Sequence, residues 1–263
     1  MMVAYHGAAY HGWQIQPGVV TVQKVIQNAL QKITGEHIFT LASGRTDTGV
    51  HALGQVINFH TQSHLPTAEI QKSLNRLLPP DIRILAARNV PPHFHSRYSV
   101  HSKQYRYIIF NHILSYGFSP VSVTICAYPL DLDLMRTAAQ LLIGTHDFTA
   151  FGANPGYRVE NPTKTLYSIT ITRDGHYIYF DVTGSGFLYK MVRTIVGTLI
   201  EVGIAKMPPQ EVKKILKSKK RTAAGHTAPA QGLTLVKVNY PESAFSGFGE
   251  NTKNQPEKTQ KLP

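Results

Sequence analysis

Apolar residues recur three and four positions apart in several segments, which is the spacing of an amphipathic helix. In residues 20–33 this spacing is followed by Gly35, which predicts a helix that stops there. Residues 67–78 predict a second helix, with Thr67 as its N-cap and Pro79-Pro80 as its stop. Three more helices are predicted at 132–143, at 187–202 and at 209–219.

Other segments alternate apolar and polar residues, as half-buried strands do. Residues 165–172 and 177–182 predict a hairpin, because Arg173-Asp174-Gly175 between them contains a favoured turn pair. Since strands and helices are interleaved and strands are often joined by hairpins, the pattern predicts an α+β fold with a mainly antiparallel sheet. Further strands are predicted at 55–61, 82–87, 103–110 and 233–238.

The order of elements is similar in the two parts of the chain. It predicts two α+β halves, at 1–100 and 101–241. Residues 242–263 are polar in composition and predict a flexible tail.

Composition limits the class of protein. Of 263 residues, 42% are apolar and 16% are charged, which is typical of a globular chain. No apolar run approaches the length of a membrane span, and the N-terminus shows no signal peptide, so we expect a cytoplasmic protein. The single cysteine, Cys126, excludes an internal disulfide and a cysteine-based metal cluster.

Charge adds more. Lysine and arginine number 27 and the acidic residues 15, a formal net charge of +12. An excess of this size favours a polyanionic partner such as a nucleic acid, because basic side chains displace counterions from phosphates. A ribosome-associated protein, or one that is merely basic, is the alternative.

The motif Gly-Arg-Thr-Asp-Thr-Gly-Val-His-Ala at 44–52 is the first segment that could carry chemistry. Its glycines permit tight turns and a close approach of a ligand. Asp47, with Arg45 nearby, could be a nucleophile or a general base. An aspartate that only caps a turn is the alternative that these residues leave open.

A second segment interleaves aromatic and basic side chains along one predicted strand. Tyr105 and Tyr107 share a face, with Arg106 on the opposite one. Aromatic rings stack on exposed bases and cations hold phosphates, so the strand favours RNA binding. Ordinary strand tyrosines with a solvated arginine are the alternative. The basic residues that we consider for phosphate contacts are Arg45, Lys103, Arg106 and Lys190.

Gly184-Ser185-Gly186 comes between a predicted strand and a predicted helix, like a dinucleotide-binding turn. Tyr189 stands where the third glycine of that fingerprint belongs, which argues against it. Arg193 lies in the apolar helix that follows, and a buried arginine needs a carboxylate partner. Asp47 is a candidate partner. The 13 histidines show no ligand pattern, so no metal site is predicted.

Together these motifs resemble the TruA family of tRNA pseudouridine synthases almost end to end. The segment at 44–52 resembles the nucleophile motif of the family, with Gln55 after it. Two departures exist: Thr48 stands where alanine is common, and the first strand is short, so that either this edge strand is short or the chain starts upstream. The other matching segments, in family order, are Tyr5-His6-Gly7, Tyr10-His11-Gly12-Trp13-Gln14, Phe94-His95-Ser96-Arg97, Tyr105-Arg106-Tyr107, Gly144 to Phe148, Phe187 to Arg193 and Ala228 to Leu233.

The resemblance implies an enzyme that acts on uridines 38, 39 and 40 of the tRNA anticodon stem-loop, as a homodimer and without a cofactor. It implies two halves in one extended sheet with flanking helices and the active site in a cleft between them. Asp47 takes the place of the nucleophile, Tyr105 that of the tyrosine stacked on the uracil, Arg193 that of the arginine paired with the aspartate, and Arg45 that of the arginine beside the flipped base. Two rival classes are a non-catalytic tRNA-binding protein of the same fold and a dinucleotide-dependent enzyme.

Overall fold

The structure, a computed structural model, describes residues 1–112, 122–154, 156 and 159–246. It contains a helix in each of the five segments predicted to form one. Their bounds are α1 Val22–Thr34, α2 Thr67–Leu77, α3 Leu132–Gln140, α4 Met191–Gly203 and α5 Glu211–Ser218.

Helix α1 is determined by both its ends and its buried face. The Thr21 hydroxyl accepts a hydrogen bond from the Lys24 amide at 3.4 Å as N-cap, and Gly35 ends the helix with a φ of 75°. Val22, Ile26 and Leu30 are fully buried at the predicted spacing. The apolar side chains that recur every three to four residues therefore pack this helix against the core.

Three helix ends differ from the prediction. The N-cap of α2 is Pro66, so the assignment of Thr67 as N-cap was wrong and Thr67 is the first helical residue. Helix α3 ends at Gln140, and Gly144 starts a strand that was not predicted. Helix α4 begins only at Met191, because Lys190 before it has the left-handed φ of 59°.

Within the described ranges, ten strands form the sheet, and their path runs β4-β1-β3-β10-β5-β9-β8-β7, with β2 paired to β3 and β6 to β5. Strands β2, β6 and β7, of two to four residues, are too short to show a pattern in the sequence. The bounds are β1 Met2–Tyr5, β2 Leu41–Ala42, β3 His51–Asn58, β4 Ile82–Ala86, β5 Ser102–Phe110, β6 Thr124–Ile125, β7 Gly144–Asp147, β8 Thr163–Asp174, β9 Tyr177–Gly184 and β10 Leu233–Asn239.

The fold is α+β, with one extended and mainly antiparallel sheet, as predicted. Strands from the first hundred residues lie on one side of a seam and later strands on the other. The seam is the parallel pairing of β10 with β3, through Thr234 with His51 and Leu235 with Ala52. Strand β1 lies between β3 and β4 and is therefore internal; the expectation of an edge strand was wrong.

The predicted hairpin is present as β8 and β9, joined by Gly175 and His176. Gly175 has a φ of +55°, which suits glycine at a tight turn. Strand β9 is antiparallel to both of its neighbours, β5 and β8. The strand before Gly184-Ser185-Gly186 is thus no part of a parallel dinucleotide-binding unit, which rules out that reading of the turn.

The segment predicted as a flexible tail begins with a packed turn. Residues Glu242–Phe245 form a short 3-10 helix, and Ala244 is buried. The Phe245 ring stacks on Phe94 at 5.3 Å, and the Arg88 guanidinium lies 3.8 Å from its centre. The rest of the predicted tail, 247–263, lies outside the described residues. In the described part of the chain, no helix is long and apolar enough to cross a membrane.

Candidate active site

Asp47 lies in the loop between β2 and β3, which is held by backbone hydrogen bonds. The Asp47 carbonyl accepts from the Val50 amide at 3.1 Å, which closes a turn, and Gly49 has a φ of +79°. The Thr46 carbonyl accepts from the Trp13 amide at 3.1 Å, and the Thr46 and Tyr5 hydroxyls lie 2.7 Å apart. Since Trp13 is fully buried, the loop is anchored to the core on both sides of its turn.

Two glycines from the start of the chain let this loop pack closely. A Cβ at Gly7 would lie 1.9 Å from the Val50 carbonyl oxygen. A Cβ at Gly12, which also has a φ of +79°, would lie 2.6 Å from the Thr46 carbonyl oxygen. Both glycines are therefore required by the close approach of two backbones. Their role was not predicted, although their motifs were noted.

Asp47 is paired with Arg193. Nη1 of Arg193 donates to Oδ2 of Asp47 at 2.7 Å, and the two side chains are 13% and 17% exposed. The pairing inferred from the apolar context of Arg193 is therefore present in the structure. It joins the first half of the chain to helix α4 of the second.

Arg193 is fixed by more than the ion pair. Its Nε donates to the Ala228 carbonyl at 2.7 Å, and the Ala228 amide donates back to the Arg193 carbonyl at 3.0 Å. The planar guanidinium therefore has one edge on the backbone and one N–H on the carboxylate. Ala228 begins a segment that matched the family pattern, but its part in holding Arg193 has no signature in the sequence.

Tyr105 lies on β5 opposite Leu235 of β10, and Leu235 is in turn paired with Ala52, just after the Asp47 loop. Its ring is 7% exposed and meets the Phe187 ring edge-on, with 5.2 Å between centres. Burial, and then the charges of Tyr5 and Asp47, raise the pKa of the phenol far above its ordinary value. Within the described part of the chain its hydroxyl makes no hydrogen bond. The structure thus brings together Asp47, Arg193 and Tyr105.

The basic candidates have different surroundings. Arg45 is exposed and forms no ion pair with any described residue. Lys190 is half-buried, with its ammonium 4.9 Å from the centre of the Tyr189 ring. Arg106 projects from the opposite face of β5 and forms two 2.9 Å hydrogen bonds with Asp181, so its guanidinium is already paired. The opposite face was predicted for Arg106, and its contact with a phosphate stays a prediction.

Two residues of strand β3, Gln55 and His51, support the Asp47 loop. The Gln55 side chain is fully buried, accepts from the Ser43 hydroxyl at 2.5 Å and donates to the Gly44 carbonyl at 2.8 Å. His51 Nδ1 accepts from the Gly7 amide at 3.0 Å, and its Nε2 lies 3.1 Å from the Gln231 carbonyl. Because Nδ1 is the acceptor, His51 is neutral and Nε2 carries its proton. Burial lowers the pKa of His51, in agreement with this state.

A comparison with models of protein families finds one that matches most of this chain. The family model described as tRNA pseudouridine synthase matches residues 1–99 and 138–241. The matched residues include the Asp47 loop, helix α4 and strand β10, which lies at the seam of the sheet. The chain belongs to the tRNA pseudouridine synthase family, and it is thus an enzyme, an isomerase.

Individual relatives agree along almost the whole chain. A protein of Thermoanaerobacter sp. (strain X514) named tRNA pseudouridine synthase A is 46% identical over 243 residues, which cover 91% of this chain and 98% of that protein. Proteins of the same name from Acetivibrio thermocellus and Brevibacillus brevis are 42% and 44% identical, with the same coverage of each chain.

Proposed function

We propose that this enzyme converts uridine to pseudouridine at positions 38, 39 and 40 in the anticodon stem-loop of tRNA, with Asp47 as the nucleophile. The observation that carries the proposal is the ion pair of Asp47 with Arg193 on a loop anchored at the seam of the sheet. The relatives named tRNA pseudouridine synthase A support tRNA as the substrate. The choice of the anticodon stem-loop rests on the motif resemblance.

The reaction is an internal rearrangement and proceeds in balanced steps. The Asp47 carboxylate attacks either C6 of the uracil or C1′ of the ribose, and the bond between N1 and C1′ breaks. The released ring rotates, C5 bonds to C1′ and the bond to Asp47 breaks. The proton leaves C5 and N1 gains one, so the product is an isomer of the substrate.

Arg193 acts as the positioning residue for the nucleophile. One of its N–H groups faces Oδ2 of Asp47 and its Nε is tied to Ala228, which limits the carboxylate to a narrow range of orientations. Orientation of a reacting group lowers the barrier by removing the entropy of its alignment. Because the guanidinium binds Oδ2, the other carboxylate oxygen is the one that faces the substrate.

Tyr105 receives the target base. A uridine in a helical stack must be extruded before Asp47 can reach it, at a cost of a few kcal/mol. Stacking on an aromatic ring offsets about 1–3 kcal/mol of that cost. Tyr105 adjoins Asp47 and is supported at its edge by Phe187, which suits a rigid stacking surface. Arg45, exposed on the same loop, is suited to a place beside the flipped base.

The oligomeric state, the cellular location and the division into two halves are proposed from the same resemblance to the family. The chain acts as a homodimer in the cytoplasm, and residues 1–100 and 101–241 form its two halves, with the target nucleotide between them. Sedimentation at several concentrations tests the dimer, and a monomer at all of them would contradict it.

The activity is tested by mass-spectrometric or carbodiimide mapping of pseudouridine in an unmodified tRNA transcript treated with the protein. Product at 38, 39 or 40 is expected for the wild type and none for Asp47→Asn. Asp174→Asn, the same change at an exposed residue of the β8–β9 hairpin, is the matched control and should retain activity. Tight tRNA binding without any product would instead favour the non-catalytic tRNA-binding protein.

A further inference from the structure

Lys103, at the start of β5, reaches across to the beginning of the Asp47 loop. Its Nζ donates to the Ser43 carbonyl at 2.6 Å and its side chain is half-buried. A Cβ at Gly44 would lie 3.2 Å from this Nζ, so the glycine leaves room for the ammonium. An ammonium has three donors, and only one is used within the described part of the chain. Lys103 therefore holds the loop and keeps donors for a ligand.

Lys164, at the start of β8, belongs to the same side of the sheet. The strand register places Lys103 opposite Gly184, and Gly184 opposite Leu166. Lys164 precedes Leu166 by two positions and so projects from the same face. Its Nζ donates to the Asn161 carbonyl at 2.8 Å, which, among the residues the structure describes, leaves this ammonium with unused donors as well.

Arg97 is held near Ser43 by its buried neighbour Ser96. Ser96 is fully buried, and its hydroxyl donates to the Leu41 carbonyl at 2.9 Å. The Tyr240 hydroxyl donates to the Ser96 carbonyl at 2.6 Å, and the Ser96 amide donates to Asn58 at 2.9 Å. With every polar group of Ser96 bonded, Arg97 is presented to solvent beside the segment whose Ser43 binds Lys103.

In the part of the chain that the structure describes, these three cations form a basic cluster without an acidic partner. Among the described residues, no carboxylate lies within 4.0 Å of Arg97, Lys103 or Lys164. Burial, together with the charges of Arg97 and Lys164, lowers the pKa of Lys103 to about 8. Burial and Arg97 lower the pKa of Lys164 as well. Like charges held together are unfavourable, and a bound anion would relieve their repulsion.

We infer that Arg97, Lys103 and Lys164 form a binding site for a backbone phosphate of the RNA next to the target nucleotide. This inference rests on the proposed function, because it takes the RNA strand to pass the Asp47 loop. An arginine fork and two ammonium groups are the donors that suit a phosphodiester. Since Lys103 is bonded to the start of the Asp47 loop, a phosphate bound by Lys103 fixes the RNA strand relative to the nucleophile.

The test measures the affinity for an unmodified tRNA transcript over a series of salt concentrations. Arg97→Met and Lys164→Met should each make the slope of log affinity against log salt shallower by about 1, as expected when one phosphate contact is lost. Both side chains lie away from the loop contacts, so both variants should keep the thermal stability of the wild type. Lys164→Arg keeps the charge and should keep the slope.

Lys72→Met is the matched control. Lys72 lies on α2, which packs against β4 at the far edge of the sheet, and its loss should leave the slope unchanged. Equal slopes for the wild type, Arg97→Met and Lys164→Met would overturn the phosphate site. A wild type that makes pseudouridine while the slopes stay equal would refute only this site. Shallower slopes with a wild type that makes none would instead refute the proposed function.

Discussion

Arg193 and Asp47 are separated by 146 positions in the chain, yet the Nη1 of one lies 2.7 Å from the Oδ2 of the other. The Nε of the same guanidinium donates to the Ala228 carbonyl at the same distance. A single side chain thus ties together the Asp47 loop, helix α4 and the segment before β10. A change at Arg193 should therefore affect both the folding and the reaction.

Arg193→Lys should abolish most of the activity, because a single ammonium cannot reproduce the two separate N–H groups that bind Ala228 and Asp47. Arg193→Met leaves a largely buried carboxylate without its partner and should cost about 3 kcal/mol of unfolding free energy. Urea unfolding and single-turnover product formation measure the two effects. Wild-type turnover by Arg193→Lys would contradict the positioning role.

Much of the fold could be predicted from the sequence because it depends on local signals. The five helices follow from apolar spacing, and the partner of Arg193 follows from the cost of burying a charge. The place of β10 between β3 and β5 could not be predicted, because long-range strand pairing has no local signature. The bond of Arg106 to Asp181 is likewise a product of strand register, and the bond of Lys103 to Ser43 joins segments 60 positions apart. The sequence indicated the face of β5 on which Arg106 lies, but not that Asp181 stands opposite it on β9.

Asp47→Asn should form no detectable pseudouridine and bind tRNA with nearly unchanged affinity. The substitution keeps the size of the side chain and removes the charge that makes it a nucleophile. Binding of a radiolabelled transcript and mapping of its product measure the two quantities on the same preparation. Appreciable product from a protein verified to carry the substitution would end the assignment of Asp47.

Gly7→Ala should destabilise the protein by at least about 2 kcal/mol, because its Cβ would overlap the Val50 carbonyl, a backbone atom that cannot turn aside. The Asp47 loop would have to move, and activity should fall with it. Gly186→Ala is the control, since its Cβ would meet only the Lys164 side chain at 3.8 Å. Equal unfolding midpoints for the two variants would show that the approach of Gly7 to Val50 is not a constraint.

Binding of tRNA should weaken as the pH rises from 7 to 9. The pKa of Lys103 is lowered to about 8, so its charge is lost in this range. A phosphate favours the charged lysine, so binding takes up a proton and the affinity falls with pH. Lys103→Arg should show a flatter profile between the same limits. Parallel pH profiles of tRNA affinity for the wild type and Lys103→Arg would show that Lys103 does not contact the phosphate.

Two roles for Tyr105 are distinguished by its ring and its hydroxyl. Tyr105→Leu removes the stacking surface, which is worth about 1–3 kcal/mol, and should weaken capture of the flipped base. Tyr105→Phe keeps the ring, and since the hydroxyl has no hydrogen bond among the described residues, the variant should fold and bind tRNA as the wild type does. Differences in product formation between the wild type and Tyr105→Phe then report on the hydroxyl alone.

We expect the Tyr105 hydroxyl to take part in removing the proton from C5 after C5 bonds to C1′. Its raised pKa means that the phenol is protonated at neutral pH, so it must first pass its proton on, and the step should quicken as the pH rises. Tyr105→Phe should accordingly form an intermediate that depends on Asp47 and release little pseudouridine. Single-turnover experiments on the two proteins across pH 6 to 9 measure this. Near-normal product formation by Tyr105→Phe would leave Tyr105 as a stacking surface only.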